Sequence, residues 1–188
     1  MKIAILGGSF DPPHIGQYLV VRQILELRKD IDKIILVPAF KHQWKQAYAS
    51  TKDRLEMTKF LLQEKTEISK IEIERQGISF AIDTIKQIKK ETGAEIFWIV
   101  GTDIIPEFHK WEKANELTSF ATFLVFPRDP YHLPKKMPKG FELVKGNNLV
   151  TTNISSTAIR QRIKEGKSIK YLVPEEVEEY IRENKLYS

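Results

Sequence analysis

The sequence predicts an α/β fold of the Rossmann-like, doubly wound kind, a mostly parallel sheet with helices on both faces. Three observations lead there. Short apolar runs such as Ile3–Leu6, Lys33–Val37, Ile96–Val100 and Thr122–Phe126 have the length and composition of strands buried on both faces. Between them lie longer segments whose apolar residues recur every three or four positions, as on one face of a helix. The two kinds of segment alternate, which implies helical crossovers, parallel strands and a ligand crevice at the strands' carboxyl ends.

In chain order, Ile3–Leu6 is the first strand. Apolar residues at 15, 19, 20, 24, 25 and 27 predict a helix over Ile15–Lys29. Lys33–Val37 is the second strand, closed by Pro38. Thr51–Gln63 opens on a residue suited to an N-cap and carries Leu55, Met57, Phe60 and Leu61, a second helix. Ser69–Glu74 alternates apolar and polar residues and reads as a more exposed strand. Ser79–Glu91 is amphipathic and stops before Gly93, a residue suited to a helix end. Ile96–Val100 and Thr122–Phe126 are further strands, with a short helix at Glu112–Leu117 between them, and Leu149–Thr152 is a last short strand. Ser155–Glu165, ended by Gly166, and Pro174–Asn184 are the closing helices. Asp129–Lys139, rich in proline and lysine, reads as a loop. With no repeat, low-complexity tract or linker, residues 1–188 are expected to form one domain, large enough for its own core.

Composition narrows the function. Apolar residues make up 41% and charged residues 29%, ordinary for a globular protein. The absence of cysteine rules out disulfides and thiolate metal sites. No run suits a signal peptide or a membrane span, so a cytoplasmic protein without a membrane partner is expected. Thirty Lys and Arg against 25 Asp and Glu give +5, which fits small anionic ligands. No nucleic-acid module signature is present, so no nucleic-acid partner is expected. Oligomeric state stays open.

The stretch Lys2–Gln17, KIAILGGSFDPPHIGQ, carries the first chemical signal. After the strand, Gly7 and Gly8 leave the backbone open to a phosphate group. Pro12 and Pro13 suit a helix start. His14 and Gln17, three apart, share one face beside amides that the helix cannot satisfy. Strand, glycine turn and polar helix start together make an anion site. The second signal is Asn153–Arg160, NISSTAIR: three hydroxyls, Ser155, Ser156 and Thr157, at a helix start, with Arg160 one turn in. A serine cap alone explains such a run; a second phosphate site, with the arginine supplying a planar charged fork, is the functional reading.

Gly-Gly-Ser-Phe-Asp-Pro-Pro-His-Ile-Gly resembles the opening signature of the nucleotidyltransferase superfamily of H-x-G-H type, in wording similar to the bacterial nicotinate mononucleotide adenylyltransferases. The 153–160 run resembles the I-S-S-T-x-I-R motif that binds ATP phosphates in that family. Asp53–Met57 is similar to its R-x-x-M helix, Arg75–Thr84 to its R-x-G-x-S-Y-T-x-D-T stretch, Gly101-Thr102-Asp103 to a G-x-D that faces the nucleotide, and Trp111 to a tryptophan that stacks on the pyridine ring. Tyr171–Tyr187 matches the family's ending. The resemblance implies adenylyl transfer from ATP to nicotinate mononucleotide, with Mg2+ bridging the phosphates. It implies catalytic roles for His14, Gln17 and Arg160 and ATP contacts at Gly7, Gly8, Ser9, Phe10, Gly101, Asp103, Ser155, Ser156 and Thr157. Acceptor contacts fall to Lys45, Ala81, Thr84 and Trp111, and no residue is assigned to hold metal.

Three departures stand out. Gln17 replaces the family's second histidine. The loop P-x-x-x-P-P-H-K reads PAFKHQWK, with His42, Gln43 and Trp44 altered and Lys45 kept. Ala81 replaces a threonine that helps hold the nicotinate carboxylate. The alternatives are therefore another phosphorylated acceptor, such as nicotinamide mononucleotide, or a nucleotide-binding protein whose turnover is reduced by Gln17. His42, His109 and His132 have no metal-ligand spacing and read as surface residues.

Overall fold

The computed structural model describes residues 1–188. Its elements are β1 (Lys2–Gly8), α1 (Ile15–Leu27), β2 (Lys33–Pro38), α2 (Thr51–Lys59), β3 (Thr66–Ile68), α3 (Ile71–Arg75), α4 (Ala81–Thr92), β4 (Glu95–Gly101), α5 (Ala114–Phe120), β5 (Ala121–Phe126), β6 (Phe141–Leu143), α6 (Ser156–Lys164) and α7 (Glu175–Glu183). The six strands form one sheet in the order β3-β2-β1-β4-β5-β6, and every pair is parallel. The expected Rossmann-like α/β fold is what the chain adopts.

Side chains alternate across the pleat, so each strand feeds two cores. Ile3, Ile5, Val37, Trp98, Val100, Phe123 and Val125 meet Ile82, Ile85 and Ile88 of α4 and Leu117 of α5 on one face. Ala4, Ile34, Leu36, Phe97, Ile99 and Leu124 meet Val21 and Ile24 of α1 on the other. A third cluster joins Ala49, which precedes α2, and Met57 of α2 to Ile159 of α6, Val177 and Ile181 of α7, and Tyr187. Through it the C-terminal segment docks beside the carboxyl ends of β1 and β2. No helix is long and apolar enough to cross a membrane.

Two expected strands are corrected. Ser69–Glu74 holds the helix α3, and the edge strand lies just before it at Thr66–Ile68. Over so few residues, alternation fits a helical turn as well as a strand. Here Ile71 and its neighbour Glu72 are both buried, which no strand with one solvated face allows. Leu149–Thr152 joins no ladder. The amide side chain of Gln23 on α1 claims both backbone groups of Val150, at 2.7 and 3.1 Å, and the other edge strand is Phe141–Leu143. Smaller shifts occur at helix ends: Ser50, not Thr51, caps α2 by accepting the Asp53 N–H, and α2 ends at Lys59, so that Leu61 turns into the core.

Candidate active site

The strand order reverses between β1 and β4, and a crevice forms at such a switch point, outside the carboxyl ends of the strands. A cavity of ≈ 330 Å³ opens there, lined by Gly7 and Gly8 of β1, Val100 and Gly101 of β4, and Phe126 at the end of β5. The two glycines of β1 serve different ends. A Cβ on Gly7 would lie 2.6 Å from the Trp98 ring, so Gly7 is small because a tryptophan packs over it. A Cβ on Gly8 would meet Phe10 at 3.7 Å and Gln17 Nε2 at 3.8 Å, ordinary contact, so there no neighbour requires a glycine. Ser9 and Phe10, which follow, do not line this cavity. Phe10 is buried among the apolar side chains on the α1 face of the sheet.

His14 is the N-cap of α1 and Gln17 is its N3 residue. The Gln17 N–H reaches His14 Nδ1 at 3.4 Å, and the His14 N–H donates to Gln17 Oε1 at 3.1 Å, a reciprocal box that satisfies two donors at the helix start. This explains a glutamine at 17 locally. With Nδ1 accepting, the neutral ring carries its proton on Nε2. Burial, and then the Arg128 charge, lower the His14 pKa to about 3, so the imidazole is neutral at pH 7. Gly16 makes room for it: a Cβ there would stand 2.9 Å from Thr152 Oγ1 and 3.0 Å from His14 Nδ1. Both His14 and Gln17 line the cavity.

The start of α6 abuts the β1–α1 loop. The Ser156 hydroxyl donates to the Pro12 carbonyl at 2.8 Å, and Arg160 Nη1 donates to the Asp11 carbonyl at 2.5 Å. Ser155 caps α6 by accepting the Ala158 N–H, and Thr157 accepts from Arg160 Nη2. The two motifs therefore touch, although 144 residues separate Pro12 from Ser156. Arg160 and the three hydroxyl residues do not themselves line the cavity; Thr152 and Ile154, which lead into α6, do. The Arg160 guanidinium lies over the Tyr48 ring, 4.3 Å from its centre.

The cationic side chain in the cavity wall is Arg128, which sequence reasoning missed. It pairs with Asp103 at 3.0 Å and donates to the Ile154 carbonyl at 3.3 Å, joining the β4 and β5 loops to the approach of α6. Its position two residues past β5, the neighbour of β4 in the sheet, was the available signal. Asp103 Oδ1 is buried without a partner, an acceptor left open in the wall. Gly101 permits this, since a Cβ there would strike that oxygen at 2.3 Å.

Trp111 lines the same cavity together with Ser79, Phe80 and Ala81. Its ring meets Trp98 edge-to-face at 6.4 Å and leans on Phe108 at 5.7 Å, so the apolar core holds its orientation. Thr84 is corrected: it is fully buried and does not line the cavity, and its hydroxyl donates to Glu72 at 2.6 Å while Arg75 donates to it at 3.0 Å. Thr84 lies one turn beyond Ala81 on the same face of α4, where α3 covers it and Glu72 and Arg75 take its hydroxyl. Glu72, unforeseen, lines the cavity instead, its pKa raised chiefly by burial. Lys45 is also outside this cavity and borders a second hollow, of ≈ 650 Å³, with Ser9 and Arg54. His42 lines the cavity rather than standing on the surface, and burial, then Lys45, lower its pKa.

The profile of a family described as cytidylyltransferase-like matches residues 5–162. A probable nicotinate-nucleotide adenylyltransferase of Halalkalibacterium halodurans is 38% identical over 192 residues, spanning 99% of this chain and 91% of that one. The nicotinate-nucleotide adenylyltransferase of Bacillus subtilis is 33% identical over 191 residues, spanning 99% and 98%. In fold, the chain superposes on the Plasmodium falciparum nicotinic acid mononucleotide adenylyltransferase complexed with NaAD with a TM-score of 0.81 at 23% identity, covering 99% of this chain and 97% of that one.

Proposed function

Since this chain belongs to the nicotinate-nucleotide adenylyltransferases of the cytidylyltransferase-like family, we propose that it transfers the adenylyl group of ATP to nicotinate mononucleotide, releasing pyrophosphate and forming deamido-NAD. The observation that carries this reading is one cavity whose wall includes the His14–Gln17 helix start, Gly8 and the Trp111 ring.

The acceptor's 5′-phosphate is already an anion, so attack on the α-phosphorus needs no protein base. A new P–O bond forms as the bond to pyrophosphate breaks, and pyrophosphate leaves with that electron pair. Catalysis then rests on positioning and on meeting the charge that develops. In this reading neutral His14 donates from Nε2 and Gln17 from its amide. The first amides of α1 and α6 add partial positive charge. Arg128, in the wall, and Arg160, held beside the same loop, supply full charge. Bound with ATP, Mg2+ would supply charge that offsets the phosphates; an ion of this kind keeps several waters and would need few protein ligands, and the unpartnered Asp103 Oδ1 would suit such a water or a ribose hydroxyl.

At the acceptor end, Ala81 offers no hydroxyl, so backbone amides near Trp111 are left to hold a nicotinate carboxylate. Glu72 favours the second reading, nicotinamide mononucleotide, because a carboxylate in the wall opposes an anionic substituent on the ring. Steady-state kcat/KM with ATP and each mononucleotide decides between them. The expected result is a higher value for the nicotinate form; an equal or higher value for the nicotinamide form overturns the choice of acceptor.

A further inference from the structure

Asp11 lies in the β1–α1 loop, three residues before His14, and is only 3% exposed. Its carboxylate accepts three hydrogen bonds from two distant segments. The Tyr48 and Ala49 N–H groups, which follow the 40–47 loop, reach it at 2.7 and 3.1 Å. The hydroxyl of Tyr187, the next-to-last residue, reaches it at 2.8 Å. The Asp11 carbonyl, in turn, takes Arg160 Nη1, and the Arg160 guanidinium stacks on Tyr48. The connections close on themselves: carboxylate to the Tyr48 backbone, Tyr48 ring to Arg160, and Arg160 back to Asp11. Burial and the Asp11 charge push the Tyr187 phenol well above its usual pKa, so its proton stays in place.

We infer that Tyr187 is a positioning residue for the adenylyl transfer, its hydroxyl acting through Asp11 to hold the phosphate-facing loop, Arg160 and the loop ending at Ala49 in one register. This rests on the function proposed above. Tyr187→Phe keeps the ring in the third core cluster and removes one donor from a buried carboxylate, which is left under-bonded. The loop that shifts in response is the one aimed at the phosphates, where small displacements weigh most in the transition state.

The fold supplies its own control. On α7, the Tyr180 hydroxyl donates to Asp53 Oδ1 at 3.0 Å, a second tyrosine–aspartate pair that makes no contact with the β1–α1 loop. A tyrosine that merely pins the C-terminus behaves like Tyr180. The experiment compares wild type, Tyr187→Phe and Tyr180→Phe below the Tm of all three, by steady-state kinetics and by calorimetric titration with ATP in the absence of acceptor. For Tyr187→Phe, kcat is expected to fall about tenfold, ATP Kd to rise about threefold and KM for nicotinate mononucleotide to rise by a similar factor, through the loop that ends at Ala49. Tyr180→Phe should leave all three values within about twofold. Unchanged kcat and ATP affinity in Tyr187→Phe, or an equal fall in Tyr180→Phe, overturns the inference. A wild type that binds ATP without adenylylating nicotinate mononucleotide overturns the acceptor reading instead, and the ATP titration then decides the role of Tyr187.

Discussion

At the scale of single residues, His14 and Gln17 set the chemistry available at the cavity. His14 is held neutral in the fold, with a pKa lowered to about 3 from the ordinary 6.5. The unfolded chain therefore takes up a proton near pH 6.5 that the native state refuses. Stability is unaffected above about pH 7 and is lost as pH falls from there toward 3. Between pH 6.5 and pH 5 the loss amounts to about 2 kcal/mol. Urea unfolding at pH 7 and pH 5 should show this drop in the wild type and a smaller one in His14→Asn; equal drops would mean that His14 is not the group responsible. Gln17 donates only neutral hydrogen bonds, whereas a histidine can bring charge to the phosphates, a difference on the order of 1–2 kcal/mol in the transition state. Gln17→His should therefore raise kcat about tenfold. Gln17→Ala should lower kcat slightly and weaken the start of α1, whose capping box it breaks. A Gln17→His variant with unchanged or lower kcat would show that the site is built around the glutamine.

Among the secondary-structure elements, α2 does more than fill a crossover. Its Arg54 is 1% exposed and donates to the carbonyls of Ser9 (2.7 Å), Ala39 (2.7 Å) and Phe40 (3.1 Å). One planar fork thus ties the loop after β1 to the loop after β2, and a lysine's point charge cannot span the same three acceptors. Arg54→Lys should cost about 2–3 kcal/mol in unfolding free energy, through carbonyls left unsatisfied in the interior. It should also raise KM for the mononucleotide, because Ala39 and Phe40 lead into the acceptor loop. Chemical denaturation and steady-state kinetics check both, and a variant with wild-type stability would remove Arg54 from this role. Sequence reading placed Arg54 in a family-like helix, but its partners are backbone carbonyls, which leave no trace in a pattern of side chains.

For the whole molecule, the cavity draws its walls from both sides of the switch point, and the segment leading into α6 closes it. A ligand bound there holds together parts of the chain that separate on unfolding. ATP with Mg2+, at about a hundred times its Kd, should add about 2.7 kcal/mol to the unfolding free energy. A rise in Tm on adding ATP checks this, and no rise at high ATP would mean that the native fold does not bind the nucleotide.

The sequence alone was enough for features that are local. Alternating apolar runs and helical spacing foretold β1, β2, β4, β5 and the crossovers, because burial on both faces or on one stripe is written into neighbouring residues. That His14 and Gln17 share the first turn of α1 and that a serine caps α6 were legible for the same reason, since each acts over three residues; which atoms pair, and that the cap is Ser155, came from the structure. Short or ambiguous runs were not, so Ser69–Glu74 proved to contain a helix and Phe141–Leu143 a strand. Only the tertiary structure decided which distant side chains meet: Arg128 on Asp103, Thr84 given over to Glu72 rather than to the cavity, Trp98 over Gly7, and Tyr187 on Asp11 across 176 residues. These contacts follow from how packed elements lie against one another, and no spacing along the chain encodes that.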